Sequence, residues 1–274
     1  MKYDVFSLNG KILPIEKATI SALNIEYSYG FGVYETIRVN NQIPYFVEQH
    51  IERLLNSAQI IELEHKFSKD ELKEFVQLLI NRLPDQTYNL KILLIGGKES
   101  LIYILPLSPL FPEDKLYRKG AEAITYNYER QFPQAKTLNM LGSYLAYKKA
   151  KENNCYEALM VDKERTITEG TRSNFFTIKD LTIFTVPKEK VLDGITKRIV
   201  LFVALKNGFN IVEEDIIVSE LNKYDGAFIT STSFGVMPIS RINDFPLPIP
   251  SSIYKLKKLY DDFLKQTKGV SKDL

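Results

Sequence analysis

Apolar and polar residues alternate along residues 3–8 and 11–14, and Asn9-Gly10 stands between the two runs. Asparagine-glycine between alternating runs is a strong short-range hairpin signal, so the chain opens as two short strands. A second alternation follows Gly30 and Gly32 through Val39, and Asn40-Asn41 turns it toward residues 43–47. The glycine pair marks a place where another stretch of backbone comes close. The period then changes. Val47, Ile51, Leu54, Leu55, Ala58 and Ile61 recur at helical spacing within residues 46–63, and Ser68 with Glu71 forms a capping box for a second helix reaching about Leu83. Residues 88–95 and 101–107 read as paired strands across the polar run 96–100. This half is α+β.

Three prolines within residues 106–112 mark a linker, with the boundary between two domains near 108–118. We take residues 1–112 as a smaller N-terminal domain and 113–274 as a larger C-terminal one. In the second, strands are expected at 121–126, 156–161, 182–186 and 227–230, and helices at 141–153, from Thr196 to about Lys206, and at 251–266. At its centre lies TITEGTRSNFFTI, residues 166–178, in which β-branched and aromatic runs flank the polar segment Glu169 to Asn174. As a solvated loop this would be an ordinary hairpin turn. Buried, it would be a polar site.

Composition narrows the classes. With 274 residues, 45% hydrophobic and 26% charged, the chain has the profile of a globular enzyme-sized protein, and no apolar run approaches the roughly 18 residues a membrane span needs. The first residues carry no continuous apolar stretch of signal-peptide type, so a cytoplasmic location is expected. Cys155 is the single cysteine and the histidines are His50 and His65, which excludes an intrachain disulfide and leaves no soft-metal ligand set. The net charge of +2 is dispersed, without a basic block for nucleic acid. The expected partners are a small molecule and a second copy of the chain.

Four features carry candidate chemistry: a lysine before a helix, the acid Glu169, Gly194-Ile195-Thr196 at a helix mouth, and the hydroxyl-rich run Ser231-Thr232-Ser233. A helix mouth offers free N–H groups to a phosphate, an amine joins an aldehyde covalently, and a carboxylate holds a pyridine nitrogen protonated. That set suits pyridoxal 5′-phosphate, although with 36 Lys and Arg residues the pattern alone does not select the lysine. Arg53 has no carboxylate among its helix-face neighbours Gln49, His50, Asn56 and Ser57.

Taken in order, these motifs resemble the class IV, fold-type IV pyridoxal-phosphate aminotransferases over nearly the whole chain. Residues 29–38, YGFGVYETIR, are similar to the family's YGDGVFET strand, and His50 to Leu54 to its H-x-x-R-L helix. Lys136-Thr-Leu-Asn139 matches its K-x-x-N segment, and Glu169-Gly170 with Asn174 and Phe176 its E-G-x-x-x-N-x-F turn. The resemblance implies a smaller N-terminal α/β sandwich and a larger β-barrel-like domain that binds the cofactor. It makes Lys136 the catalytic lysine and Glu169 the partner of the pyridine nitrogen. Arg53, Ile195, Thr196, Ser231 and Thr232 become phosphate-side residues, Tyr34 an active-site aromatic, and the assembly a homodimer.

Departures bear on the substrate. Phe31 replaces the motif's aspartate, and residues 94–100 lack the Arg-x-His carboxylate trap of the bacterial D-amino-acid transaminases. Arg172, within the cofactor turn, is expected to replace it, because a guanidinium binds a carboxylate with two parallel hydrogen bonds; Lys98 is the weaker candidate. Glu35-Thr36 and residues 136–142 look more like D-amino-acid than branched-chain transaminases. The expected activity is therefore transamination of a D-amino acid such as D-alanine or D-glutamate. Branched-chain L-amino-acid transamination and aminodeoxychorismate lysis, which Gly235 to Pro238 suggest, are the alternatives.

Overall fold

In the computed structural model, which describes residues 3–109 and 111–267, Asn9 and Gly10 both take positive φ, 49° and 82°. That is the conformation a two-residue hairpin requires, and it joins β1 (Val5–Leu8) to β2 (Lys11–Pro14). One compact unit comprises the described residues up to 109 together with Ala135–Met140; the other comprises Phe111–Gln134 and Leu141–Thr267. The segment around Lys136 thus packs in the first unit although its position in the chain lies within the second expected domain.

The first unit continues through α1 (Ile25–Ser28), β3 (Gly32–Asn40), β4 (Ile43–Pro44), α2 (Val47–Ile60), α3 (Lys69–Ile80), β5 (Tyr88–Ile95) and β6 (Leu101–Leu107). Its six strands pair in the order β2-β1-β6-β5-β3-β4, antiparallel throughout. Alternation along β3 divides its side chains between the two faces. Val33, Ile37 and Val39, with Leu90, Ile92 and Leu94 of β5, share a buried core with Ile51 and Leu54 of α2 and Leu72, Val76 and Leu79 of α3. The capping box forms as expected, Ser68 Oγ accepting from the Glu71 N–H and the Glu71 side chain from the Ser68 N–H. The linker expectation is corrected at one end: Pro106 lies inside β6, beyond the residues that pair with β1, where a missing N–H is tolerated. Leu110, in the same expected linker, lies outside the described residues.

The second unit contains α4 (Asp114–Lys119), β7 (Ala121–Asn127), α5 (Leu141–Glu152), β8 (Glu157–Val161), β9 (Ile167–Gly170), β10 (Asn174–Lys179) and β11 (Thr182–Thr185). It ends with α6 (Ile195–Lys206), β12 (Asn210–Glu213), β13 (Gly226–Ser231), β14 (Gly235–Ile242), β15 (Phe245–Pro246) and α7 (Ser251–Thr267). From β10 the ladder runs through β13, β14, β7, β8 and β9 and returns to β10, closing a barrel; β11 and β12 extend it outward. Leu159, Val161, Ile167, Phe175, Ile229 and Met237 contribute to its core. The expected loop at Glu169 to Asn174 is smaller than the sequence suggests. Glu169, Gly170 and Asn174 are strand residues, residues 171–173 alone make the turn, and all of them but Arg172 are buried. No described helix is long and apolar enough to cross a membrane.

Candidate active site

Lys136 is fixed by its backbone against β3. Its carbonyl accepts the Tyr34 N–H at 2.9 Å, its N–H donates to Ser57 Oγ at 3.1 Å, and the Leu138 N–H donates to the Gly32 carbonyl at 2.8 Å. The two glycines are what permit this docking. A Cβ on Gly30 would lie 3.1 Å from the Asn139 backbone nitrogen, and one on Gly32 would lie 2.7 Å from both Leu138 Cδ1 and the Leu94 carbonyl. With the main chain held, the Lys136 ammonium stands 4.5 Å from the centroid of the Tyr34 ring and makes no ion pair among the described residues.

On the opposite face of β3, Arg53 finds the carboxylate its own helix lacks. Glu35 is fully buried, receiving Arg53 Nε at 2.6 Å on Oε1 and Arg53 Nη2 at 2.8 Å on Oε2. His50 Nδ1 lies 2.7 Å from the same Oε2. Burial alone would raise the Glu35 pKa, but the charges and hydrogen bonds of Arg53 and His50 prevail and hold it well below the usual carboxylate range. Burial, assisted by the positive charges of Arg53 and Lys136, lowers the His50 pKa against the pull of Glu35. The imidazole is therefore neutral near neutral pH and donates its Nδ1 hydrogen to the carboxylate. Only the helical half of this network showed in the sequence, because helix spacing does not reach a strand 18 residues earlier.

In the second unit, β9 and β10 place Glu169 opposite Asn174. Both hold the segment before α6: Glu169 Oε2 accepts the Leu192 N–H at 3.4 Å, and Asn174 Nδ2 donates to the Leu192 carbonyl at 2.7 Å. Glu169 Oε1 also accepts Arg130 Nη1 at 2.8 Å, while that same nitrogen donates to the Pro133 carbonyl at 3.1 Å. Arg130 escaped the sequence reading because residues 128–135 carry no periodicity. The mouth of α6 is shaped by Gly194, where a Cβ would come 2.0 Å from Asn174 Oδ1. Ile195 and Thr196 begin the helix buried, and no side chain caps it. Beside them Lys197 is only 4% exposed, and its Nζ has no hydrogen-bond partner among the described residues. Burial lowers its pKa against the pull of Asp193, Glu213 and Glu169. Ser231 ends β13 and receives the Ser233 N–H on Oγ at 3.2 Å; Thr232 sits in the turn to β14.

Arg172 turns to other partners. Its guanidinium lies 4.7 Å from the Tyr147 ring centroid and 5.4 Å from that of Tyr156, with Nε 4.0 Å from the buried carboxylate of Glu157. Glu157 also accepts the hydroxyls of Thr171 at 2.5 Å and Ser173 at 3.0 Å. Burial pushes the Glu157 pKa up, and these hydroxyls and Arg172 oppose it. A Cβ on Gly170 would face Ser173 and Glu157, whereas the preceding Glu169 faces Arg130 and Leu192; successive strand residues point to opposite sides. The Arg172 side chain thus lies beside the buried acid Glu157, while Glu169 faces Arg130 and Leu192.

The family model described as "Amino-transferase class IV" matches residues 32–242. The D-alanine aminotransferase of Listeria monocytogenes serotype 1/2a (strain 10403S) is 31% identical over 254 residues, covering 86% of each chain. A putative branched-chain-amino-acid aminotransferase of Methanocaldococcus jannaschii is also 31% identical, over 86% of this chain and 87% of that one. The crystal structure of a T.th. branched-chain amino acid aminotransferase with pyridoxamine 5′-phosphate superposes with a TM-score of 0.88 at 26% identity, covering 96% of this chain and 94% of that one. This chain belongs to the class IV aminotransferases. It is accordingly a pyridoxal-phosphate-dependent enzyme of fold type IV, with amino acids and 2-oxo acids as its substrates.

Proposed function

We propose that the chain transfers amino groups between a D-amino acid and a 2-oxo acid, with Lys136 as its catalytic residue. The observation that carries the catalytic assignment is the Lys136 segment: three hydrogen bonds of its backbone fix the main chain and leave the amine against the Tyr34 ring without a counterion among the described residues. The preference for D-amino acids rests on the Listeria relative and on the likeness of Glu35-Thr36 and residues 136–142 to the D-amino-acid transaminases. A branched-chain reading draws on the Methanocaldococcus relative and the T.th. structure.

The residues present suit the cofactor. In the second unit, the first turn of α6 is free of a side-chain cap, and Lys197 Nζ is buried without a hydrogen-bond partner among the described residues, as a phosphate-binding place would have. In this reading Ile195, Thr196, Ser231, Thr232 and Arg53 hold the phosphate, and Glu169 keeps a proton at the ring nitrogen. Residues 113–274 form the cofactor-binding domain. Bound pyridoxal phosphate supplies an electron sink for the substrate's α-carbon. Lys136 Nζ takes the α-proton and later returns a proton, and Tyr34 flanks the amine while it does so.

The test is a set of half-reactions followed by the visible absorbance of the loaded enzyme. D-alanine and D-glutamate should change the spectrum faster than L-leucine. Faster change with L-leucine would transfer the assignment to branched-chain amino acids. We further propose a cytoplasmic homodimer, supported by the exposed apolar residues Leu23, Ile25 and Tyr29 around α1. Light scattering should give twice the 31.6 kDa chain mass. A value at the chain mass under assay conditions would refute the dimer.

A further inference from the structure

The backbone of Leu192 is held on both sides by side chains of the barrel. Its N–H donates to Glu169 Oε2 at 3.4 Å, and its carbonyl accepts Asn174 Nδ2 at 2.7 Å. Glu169 and Asn174 are the cross-strand pair that closes the barrel, so their side chains leave the sheet on one face, next to each other. Residues 191–194, which lead into α6, belong to no strand or helix, yet Val191, Leu192 and Gly194 are buried. Buried main chain without a ladder of its own must find partners elsewhere, and here β9 and β10 supply them.

Asn174 meets the same segment again two residues further on. A Cβ on Gly194 would lie 2.0 Å from Asn174 Oδ1, so the carboxamide fills the space in which any other residue would carry its side chain. One side chain thus grips the approach to α6 at two points, the Leu192 carbonyl and Gly194. Its own backbone is fixed on both edges of β10, opposite Glu169 and opposite Thr230. Arg198 Nε also donates to Asp193 Oδ2, at 2.8 Å, but that contact joins the segment to its own helix and fixes neither against the barrel.

We propose that Asn174 is a positioning residue that sets the separation between Glu169 and the uncapped mouth of α6, and so matches that separation to the two ends of the cofactor. The inference rests on the reading of Glu169 as the partner of the ring nitrogen and of α6 as the phosphate-side helix. A pyridine ring that carries its phosphate on one methylene arm presents nitrogen and phosphate at a nearly fixed spacing. Both contacts form together only where the protein offers the acid and the helix mouth at that spacing, and a two-ended ligand then gains over either end alone. A ligand with one end has no such requirement. Asn174 acts through the other groups: Glu169 and the N–H groups of α6 make the contacts, and the carboxamide holds the one in register with the other.

The experiment titrates the full-length chain, freed of cofactor, with three probes: pyridoxine 5′-phosphate, which has ring and phosphate but no aldehyde for a lysine, pyridoxine, and inorganic phosphate. The wild type should bind pyridoxine 5′-phosphate more tightly than either fragment. Asn174→Ala should weaken pyridoxine 5′-phosphate by about tenfold and each fragment by less than about threefold. Gly194→Ala, whose methyl would displace the Asn174 carboxamide, should weaken the two-ended probe as well. With the carboxamide already gone, in the double variant, that methyl should cost little more. Unchanged affinity for pyridoxine 5′-phosphate in Asn174→Ala would overturn the assignment. So would equal losses for all three probes, which would mark Asn174 as supporting the fold alone, or additive losses in the double variant. Where Asn174→Ala does not fold, Gly194→Ala decides, and a wild-type preference for the two-ended probe in that variant overturns the assignment. A wild type that binds pyridoxine 5′-phosphate no more tightly than inorganic phosphate would refute the reading of Glu169 and α6 as the two ends of the cofactor site. That result is distinct from a wild-type preference that Asn174→Ala retains.

Discussion

Replacing Lys136 with alanine is expected to abolish the visible band that pyridoxal phosphate shows when a lysine amine holds it, and to lower turnover by about a hundredfold to ten-thousandfold or more. The substitution isolates the amine. The hydrogen bonds that dock the segment use the Lys136 carbonyl and N–H and the Leu138 N–H, and none uses the side chain. Removing the ammonium also removes a charge from the Tyr34 ring, so the melting temperature should change little. A preserved visible band in Lys136→Ala would remove the residue from its role. Lys91, at 5.5 Å from the same ring, would then be the next amine to test. A lost band accompanied by a large fall in melting temperature would instead indicate a disrupted segment, and Lys136→Arg, which keeps a cation beside the ring, separates these cases.

What the sequence disclosed of this site follows the range of the interactions involved. Period and turn chemistry are local, so β5 and β6, the α3 capping box and the Asn9-Gly10 hairpin could be read directly. β14 was hidden because Gly235 and Pro238 punctuate it as a loop would, and of its partners β13 and β7 the second comes from a distant part of the chain. The barrel closes through a single pairing of Asn174 with Glu169, which no local pattern announces. The motifs located Lys136, Glu169 and Thr196, yet they carried no information on which side chains neutralise them. Arg130 reaches Glu169 across 39 residues, and Glu35 reaches Arg53 across 18. Arg172 shows the converse limit. Its proximity in sequence to Glu169 suggested a shared site, but nearness in sequence does not fix where a turn residue points, and the guanidinium lies beside Tyr147, Tyr156 and the buried Glu157.

Arg53→Met should destabilise the protein by about 3–5 kcal/mol, because it leaves the Glu35 carboxylate fully buried with a neutral histidine as its principal partner. Urea unfolding of the loaded and unloaded forms measures this, and a loss under about 1 kcal/mol in both would show that the ion pair is replaceable there. Adding Glu35→Gln to Arg53→Met removes the stranded charge, so the double variant should recover much of the stability. The pair also separates the structural and cofactor roles of Arg53: if it binds phosphate as proposed, the double variant should recover stability without recovering affinity for pyridoxal phosphate. Equal recovery of both would confine Arg53 to the Glu35 network. The pH profile gives an independent readout. Glu35 and His50 both have folded pKa values below their unfolded ones, so the unfolded chain binds more protons and stability falls on acidification. The His50 part begins to be lost as pH drops below about 6.5, and the Glu35 part as it drops below about 4.3 toward the depressed folded value. Because the Arg53 charge is one of the causes lowering His50, its removal lets Glu35 raise the imidazole pKa. The acid-side loss between about pH 6.5 and 5 should then flatten in Arg53→Met; an unchanged slope would mean that His50 does not sense the arginine.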